Sequence, residues 1–293
     1  MKIRATVLER MGCDAPYKDS RPLQVVELDL DPPGPGEVLV KIAAAGLCHS
    51  DLSVIDGNRP RVMPMALGHE ASGIVVETGA DVNDLSPGDH VVMVFVPSCG
   101  HCLPCATGRP ALCEPAAITN GAGTLLSGER RLRWKGAPLN HHLGVSAFAD
   151  HAVVSRRSLV KIDRDIPLDH AALFGCAVLT GVGAVVNTAQ VTAGATVAVI
   201  GLGGVGMAAL LGALAAGAGR VIAVDLSPQR IAFARQLGAT DAFEAGPSAA
   251  DAIRDATKGG VEIAIETAGA IKALDLAYKI TRRGGITVTA GLP

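Results

Sequence analysis

The chain has no surplus of positive charge: 26 Lys and Arg stand against 28 Asp and Glu, a net charge of -2 over 293 residues. A nucleic-acid partner needs basic side chains to neutralise phosphates, so that class is excluded. Charged residues make up only 18% and aromatic residues 3%, while 49% are hydrophobic. That balance is too apolar for a disordered chain. An export signal is also missing, because Lys2, Arg4, Glu9 and Arg10 interrupt the first eleven residues where an apolar core would be needed. Residues 171–219 lack Asp, Glu, Lys and Arg altogether, yet Asn187, Thr188, Gln190, Thr192, Thr196 and frequent glycines break them up. A bilayer helix needs about 20 predominantly apolar residues in a row, so no membrane span is read there. Neither an internal repeat nor a low-complexity tail is present.

What is present is a two-domain composition. At about 100–200 residues per domain the length suits two, with a sizeable core. Thirty-five glycines and seventeen prolines without a triplet period indicate a loop-rich α/β protein. In the first half, Pro32-Pro33-Gly34-Pro35-Gly36 and Pro87-Gly88-Asp89 are turn signals between short apolar runs. These predict strands at 37–45, 72–77 and 90–96 and a barrel-like antiparallel domain over residues 1–177. From about residue 171 Ala-rich helices alternate with apolar strands. Strands are predicted at 196–200, 221–225, 241–243, 261–266 and 286–290, with helices at 204–216, 228–237, 249–257 and 271–280. That alternation is a doubly wound parallel sheet over residues 178–293. A sixth strand normally completes such a sheet, so the second domain is expected to be incomplete and the chain a fragment.

Three constellations carry chemistry. Gly201-Leu202-Gly203-Gly204-Val205-Gly206 matches G-x-G-x-x-G between a predicted strand and a small-residue helix, with Asp225 ending the next strand. Glycines there let the backbone approach a pyrophosphate at the positive end of a helix. Asp225 can accept from both ribose hydroxyls and would repel the extra phosphate of NADP, which points to NAD. A bland glycine turn packing a helix on a sheet is the alternative, and the acid in register disfavours it.

Seven cysteines are present, and Cys99, Cys102, Cys105 and Cys113 crowd into fifteen residues. Without an export signal the compartment is read as cytoplasmic and reducing, where clustered thiols bind metal more often than they pair. Four thiolates can enclose one zinc in a closed, structural site. His101 would be a fifth ligand. An iron–sulfur cluster or two disulfides are the alternatives; zinc is favoured because nothing else suggests electron transfer. The third constellation is dispersed: Cys48 in Gly46-Leu47-Cys48-His49-Ser50-Asp51, His69 in Gly68-His69-Glu70, and Cys176 after Gly175. Two Cys and one His are the ligand set of a catalytic zinc with an open fourth position. Spacing alone leaves open whether they converge or are separate core residues.

Those segments, with Cys176-x3-Thr180-Gly181 and residues 139–154 (LNHHLGVSAFADHAVV), occur in the same order in zinc-dependent alcohol dehydrogenases of the medium-chain dehydrogenase/reductase superfamily. The chain resembles in particular the long branch that includes glutathione-dependent formaldehyde dehydrogenase, over essentially its whole length. The resemblance implies a GroES-like catalytic domain followed by a Rossmann domain, two zinc ions per chain, and NAD. It implies catalytic-zinc ligation by Cys48, His69 and Cys176, with Glu70 as a nearby second-sphere carboxylate. Ser50 matches the hydroxyl that takes the alcohol's proton, His49 a pyrophosphate contact, and Thr180 a residue against the nicotinamide. Asp225 and Arg230 match the adenosine-ribose contacts, and Phe95, Ile118, His142, Leu143 and Leu292 the substrate pocket. The implied reaction takes a hydride from a primary or secondary alcohol to NAD, giving aldehyde or ketone, in a homo-oligomer. The alternatives are an S-(hydroxymethyl)glutathione dehydrogenase and a non-catalytic zinc-stabilised nucleotide binder.

The chain departs from the family pattern in three places. Ser53 stands where many relatives have a proton-relaying His. Ala117 stands where the glutathione-dependent branch has an anion-binding Arg. Roughly the last fifth of the family's length is absent.

Overall fold

A computed structural model describes residues 1–291, and its contacts divide the chain after Cys176. In the first unit, Lys2–Leu8 alternates outward and inward, so Ile3, Ala5 and Val7 face a core shared with Leu28, Leu30, Leu132 and Leu139. That strand pairs antiparallel with Leu23–Leu30 along its length. Leu132–Trp134, Ala137–His141 and the two-residue strand Met65–Ala66 complete a closed five-stranded barrel. A second, antiparallel sheet runs Leu159–Ile162, His90–Met93, Ala71–Thr78, Glu37–Ala45, His151–Ser155. Val38, Val40, Val75, Val91, Met93 and Val154 form its core.

The strand expected over 90–96 stops at Met93. Val94 donates its N–H to the Ser158 carbonyl outside the ladder, at 2.7 Å, and Pro97 has no N–H with which to continue pairing. The chain then leaves the sheet toward the cysteine cluster.

In the second unit five parallel strands lie in the order Asp241–Glu244, Arg220–Asp225, Thr196–Ile200, Val261–Glu266, Thr281–Thr289. The earliest strand is central, as in a doubly wound sheet. Helices Gly204–Ala215, Pro228–Gln236, Ala249–Ala256 and Ile271–Ile280 connect them. Gly181, in helix Ala177–Gly183, lies so close to helix Gly204–Ala215 that a Cβ would strike the Val205 carbonyl. Among the described residues no single helix is long and apolar enough to cross a membrane.

Candidate metal and nucleotide sites

Cys48 stands immediately before the helix His49–Ile55, and Asp51 in its first turn reaches back. Asp51 Oδ2 accepts the Cys48 N–H at 3.2 Å, and Oδ1 lies 3.0 Å from His69 Nδ1. One buried carboxylate thus orients two candidate ligands, and it leaves His69 Nε2 available to a metal. Cys176 follows the turn Ala172–Gly175, where a Cβ on Gly175 would strike the Met93 carbonyl. The sulfurs of Cys48 and Cys176 are 3.9 Å apart. Donor atoms of Cys48, His69 and Cys176 all lie within 4.8 Å of one another. Two thiolates on one tetrahedral zinc, at Zn–S about 2.3 Å, stand about 3.8 Å apart, so the residues fit the ion.

The electrostatics suit a cation. The hydrogen bond with Cys176 holds Cys48 down, to about 3, against the effect of burial. That same bond, together with burial and the charges of Cys48, Glu70 and Asp51, pushes the Cys176 thiol up. Without a cation, one proton stays between the two sulfurs; a bound divalent ion lets both ionise. Burial opposes charge on His69, but hydrogen bonds with Asp51 and Cys48 raise it to about 9. Burial also opposes charge on Asp51, yet the imidazoles of His142 and His69 hold its carboxyl well below the usual carboxylate range.

Glu70 is 2% exposed and sits against Gly46, where a Cβ would strike its carboxyl. Phe95 and His142 meet the His69 ring edge-on, at centroid distances of 5.6 and 5.3 Å. His142 Nδ1 is 3.3 Å from Asp51 Oδ1 but out of line for a hydrogen bond. A tight loop holds it there: the His142 N–H donates to Ser146 Oγ at 2.9 Å, and Ser146 donates to the Ala66 carbonyl at 2.8 Å. Leu143, in that loop, is half-buried at φ +52°. Ile118 departs from its expected place in the pocket wall. It is 72% exposed, because helix Glu114–Ala122 turns Ala116 and Asn120 inward instead. Leu292 lies outside the described residues.

Ser50 is half-buried, and its hydroxyl accepts from Arg59 Nη1 at 3.4 Å. No motif marks Arg59, and reading the sequence missed it. His49 is exposed at the start of its helix. Ser53 is 2% exposed and donates to the His49 carbonyl at 3.1 Å, so its hydroxyl is committed to its own helix.

The second cluster is independent of the first. Donor atoms of Cys99, Cys102, Cys105 and Cys113 lie within 4.8 Å of one another, and no cysteine is in a disulfide. The Cys99 N–H donates to Cys113 Sγ at 3.2 Å and the Cys102 N–H to Cys99 Sγ at 3.3 Å. N–H groups of His101 and Cys102 lower the Cys99 thiol to about 6. The Gly100 N–H pulls Cys105 down, but burial and the other thiols outweigh it and push Cys105 up to about 12. His101 is exposed with Nδ1 3.0 Å from the Cys99 carbonyl, outside the ligand cluster. Four sulfurs with no open position suit a structural zinc.

In the second unit, strand Thr196–Ile200 turns at Gly201, φ +89°, into a helix whose cap, Gly203, has no side chain to satisfy its first N–H groups. A Cβ on Gly206 would strike the Gly201 carbonyl. Gly204 is exposed and Val205 half-buried in the first turn. Asp225 accepts the Leu202 N–H at 2.6 Å and the Ser227 N–H at 2.8 Å, with Arg230 Nη1 3.7 Å away. Two backbone donors therefore hold this carboxylate beside the glycine turn. Thr180 is half-buried on the helix that packs at Gly181.

Two family models match the chain: the alcohol dehydrogenase GroES-like domain over residues 34–164 and zinc-binding dehydrogenase over 204–293. An S-(hydroxymethyl)glutathione dehydrogenase of Escherichia coli is 39% identical over all of this chain and 78% of its own length. Benzyl alcohol dehydrogenase from Acinetobacter calcoaceticus is 34% identical, with a TM-score of 0.89 over the whole chain and 78% of that structure. A zinc-binding dehydrogenase from Sinorhizobium meliloti bound to NADP is 30% identical, with a TM-score of 0.77 over the whole chain and 77% of that structure.

Proposed function

Because the chain belongs to the zinc-binding alcohol dehydrogenases of the medium-chain superfamily, we propose that it oxidises a primary or secondary alcohol with NAD, or reduces the matching carbonyl. The observation that carries this reading is the convergence of Cys48, His69 and Cys176 with no fourth donor in the cluster among the described residues. A purely structural or nucleotide-binding role would have no use for an open metal position.

When bound there, zinc supplies Lewis acidity toward the substrate oxygen, and NAD on the Gly201–Gly206 turn supplies the hydride acceptor. The chain's own residues do the rest. Asp51 keeps the His69 ring and the Cys48 backbone in place for ligation. Ser50 would take the alcohol's proton while giving its own hydroxyl proton onward to the cofactor ribose or water, so it stays neutral, and the Arg59 guanidinium, donating to its oxygen at 3.4 Å, orients that hydroxyl. Ser53 cannot pass that proton on, since its hydroxyl faces the His49 carbonyl. Phe95 and His142 exclude water beside His69. Glu70 is poised near Cys176, where its charge is felt by the thiol. Asp225 would select NAD, and Cys99, Cys102, Cys105 and Cys113 would hold a second zinc, in a closed site with no chemical role. The same reading makes the protein a cytoplasmic homo-oligomer.

The S-(hydroxymethyl)glutathione reading has the 39% relative in its favour and Ala117, with no charge to offer an anion, against it. The test is NADH formation from aliphatic, benzylic and glutathione-adducted alcohols, combined with metal analysis. Turnover of a simple alcohol with two zincs per chain is expected. A protein that binds NAD and one zinc but oxidises none of these substrates is the nucleotide binder instead.

A further inference from the structure

One buried acid at the C-terminal ends of the parallel strands takes no part in the proposed chemistry. Glu266 ends strand Val261–Glu266 and is 1% exposed. Its Oε1 accepts the N–H groups of Ala268 and Gly269, each at 2.7 Å, and its Oε2 accepts the Thr289 hydroxyl at 2.8 Å. Its backbone carbonyl takes two further donors, the Ala290 N–H at 2.8 Å and the Gly291 N–H at 3.1 Å. One residue thus ties the loop leaving its own strand to the end of the neighbouring strand Thr281–Thr289. The two segments are in close contact, because a Cβ on Gly291 would strike the Gly269 nitrogen.

The same loop is fastened to the glycine turn. Thr267 gives its N–H to the Ile200 carbonyl at 2.8 Å and its hydroxyl to the Gly201 carbonyl at 2.6 Å. A Cβ on Gly201 would strike the Ala268 nitrogen. Sheet order places this junction where the winding reverses: Thr196–Ile200 has Arg220–Asp225 on one side and Val261–Glu266 on the other. In doubly wound sheets a dinucleotide lies across the crevice outside the strand ends at that point. With Asp225 taking the adenosine half on the first side, the nicotinamide half has the second, where residues 268–269 and 289–291 stand. N–H groups past a strand end have no ladder partner, and burying them without an acceptor is costly. The Glu266 carboxylate supplies that acceptor.

We infer that Glu266 is a positioning residue for the cofactor: by holding residues 268–269 and 289–291 as one surface, it shapes the seat of the nicotinamide half and leaves the adenosine half unaffected. This rests on the dehydrogenase reading above and adds to it a buried residue that acts only through its neighbours.

The test titrates the wild-type protein, Glu266→Ala, Glu266→Gln and Thr289→Val with two ligands. NADH is followed by its fluorescence, and ADP-ribose, which lacks the nicotinamide, by calorimetry. Glu266→Ala should raise the Kd for NADH about tenfold, the scale of buried N–H groups that lose their acceptor. The Kd for ADP-ribose should change less than about twofold, as for a site remote from the substitution. Glu266→Gln keeps an acceptor for both N–H groups and should keep most of the NADH affinity. Thr289→Val removes one donor at an exposed position and should fall between; it carries the same comparison should Glu266→Ala fail to fold. A merely structural role would weaken both ligands together. Equal losses for NADH and ADP-ribose, or no loss in any folded variant, overturn the proposal. Losses confined to NADH, in a protein whose wild type forms no NADH from any alcohol, overturn the dehydrogenase reading and leave Glu266 in its role.

Discussion

Asp225 spends both oxygens on backbone N–H groups, those of Leu202 and Ser227, before any ligand arrives. Its position is therefore built into the turn, and on the proposed reading its negative charge would face the 2′ position of a bound nucleotide's ribose. Asp225→Ser keeps a hydroxyl acceptor and removes the charge. The kcat/KM ratio of NAD to NADP should fall by about a hundredfold, the scale of one charge-assisted contact plus one repulsion. A protein that already prefers NADP contradicts this account. A second residue sets an acid limit on stability. His141 is fully buried, accepts the Arg131 N–H on Nε2 at 3.1 Å, and is pushed down to about 3 by burial and by the charges of Arg130 and Arg131. In the unfolded chain it titrates near about 6.5. Between those values the unfolded state binds a proton that the folded state refuses, so stability is complete above about 6.5 and declines as the pH falls toward 3. His142, lowered mainly by burial, acts in the same direction. Melting temperatures at pH 7.5, 6.5 and 5.5 should fall with acid, and less so in His141→Gln, which keeps the acceptor. Parallel curves for the two proteins would remove His141 from the account.

The cysteine lobe between the second sheet and helix Glu114–Ala122 is an element without a core. Leu103 is 73% exposed and Leu112 53% exposed, leaving the converging thiols as its organising contact. Metal binding in such a segment is folding free energy. Cys105→Ser should lower the melting temperature and raise protease sensitivity between residues 99 and 113. A variant as stable as the parent but without activity would show that this zinc is catalytic. Elements differ in how far they can be read from sequence. The strand Val261–Glu266 and the helix Ile271–Ile280 have the bounds expected from their apolar runs, because each is stabilised by burial that its own periodicity displays. The barrel was only outlined. Met65–Ala66 has two residues and pairs with Asn140 and His141; no local pattern announces a partner so distant in the chain. The same holds at the site. Cys48, His69 and Cys176 were each visible as motifs, but their distances were not. Arg59 belongs to no motif, and only the loop that returns it to Ser50 brings it into view.

At the scale of the whole molecule, each unit has its own hydrophobic clusters. Residues such as Val38, Val91 and Leu139 serve the first, and Val199, Ala223 and Ile253 the second. Ligands should consequently act on them separately. Calorimetry is expected to show two transitions: chelation lowers that of the first unit, and NAD at a hundred times its Kd adds about 2.7 kcal/mol to the second. A single transition shifted by both ligands would indicate one cooperative body.

Cys176 is the last residue of the first unit, so every thiol and imidazole of both metal clusters is encoded before the nucleotide-binding half begins. A ribosome adding about 5–20 residues per second spends on the order of ten seconds on the rest of the chain. During that interval seven cysteines are already made, with no nucleotide fold beside them. Metal supply in the cell thus meets the nascent protein earlier than cofactor supply does. Zinc starvation should leave its mark at translation, as chains degraded or oxidised before release, and not as intact enzyme awaiting a missing ion.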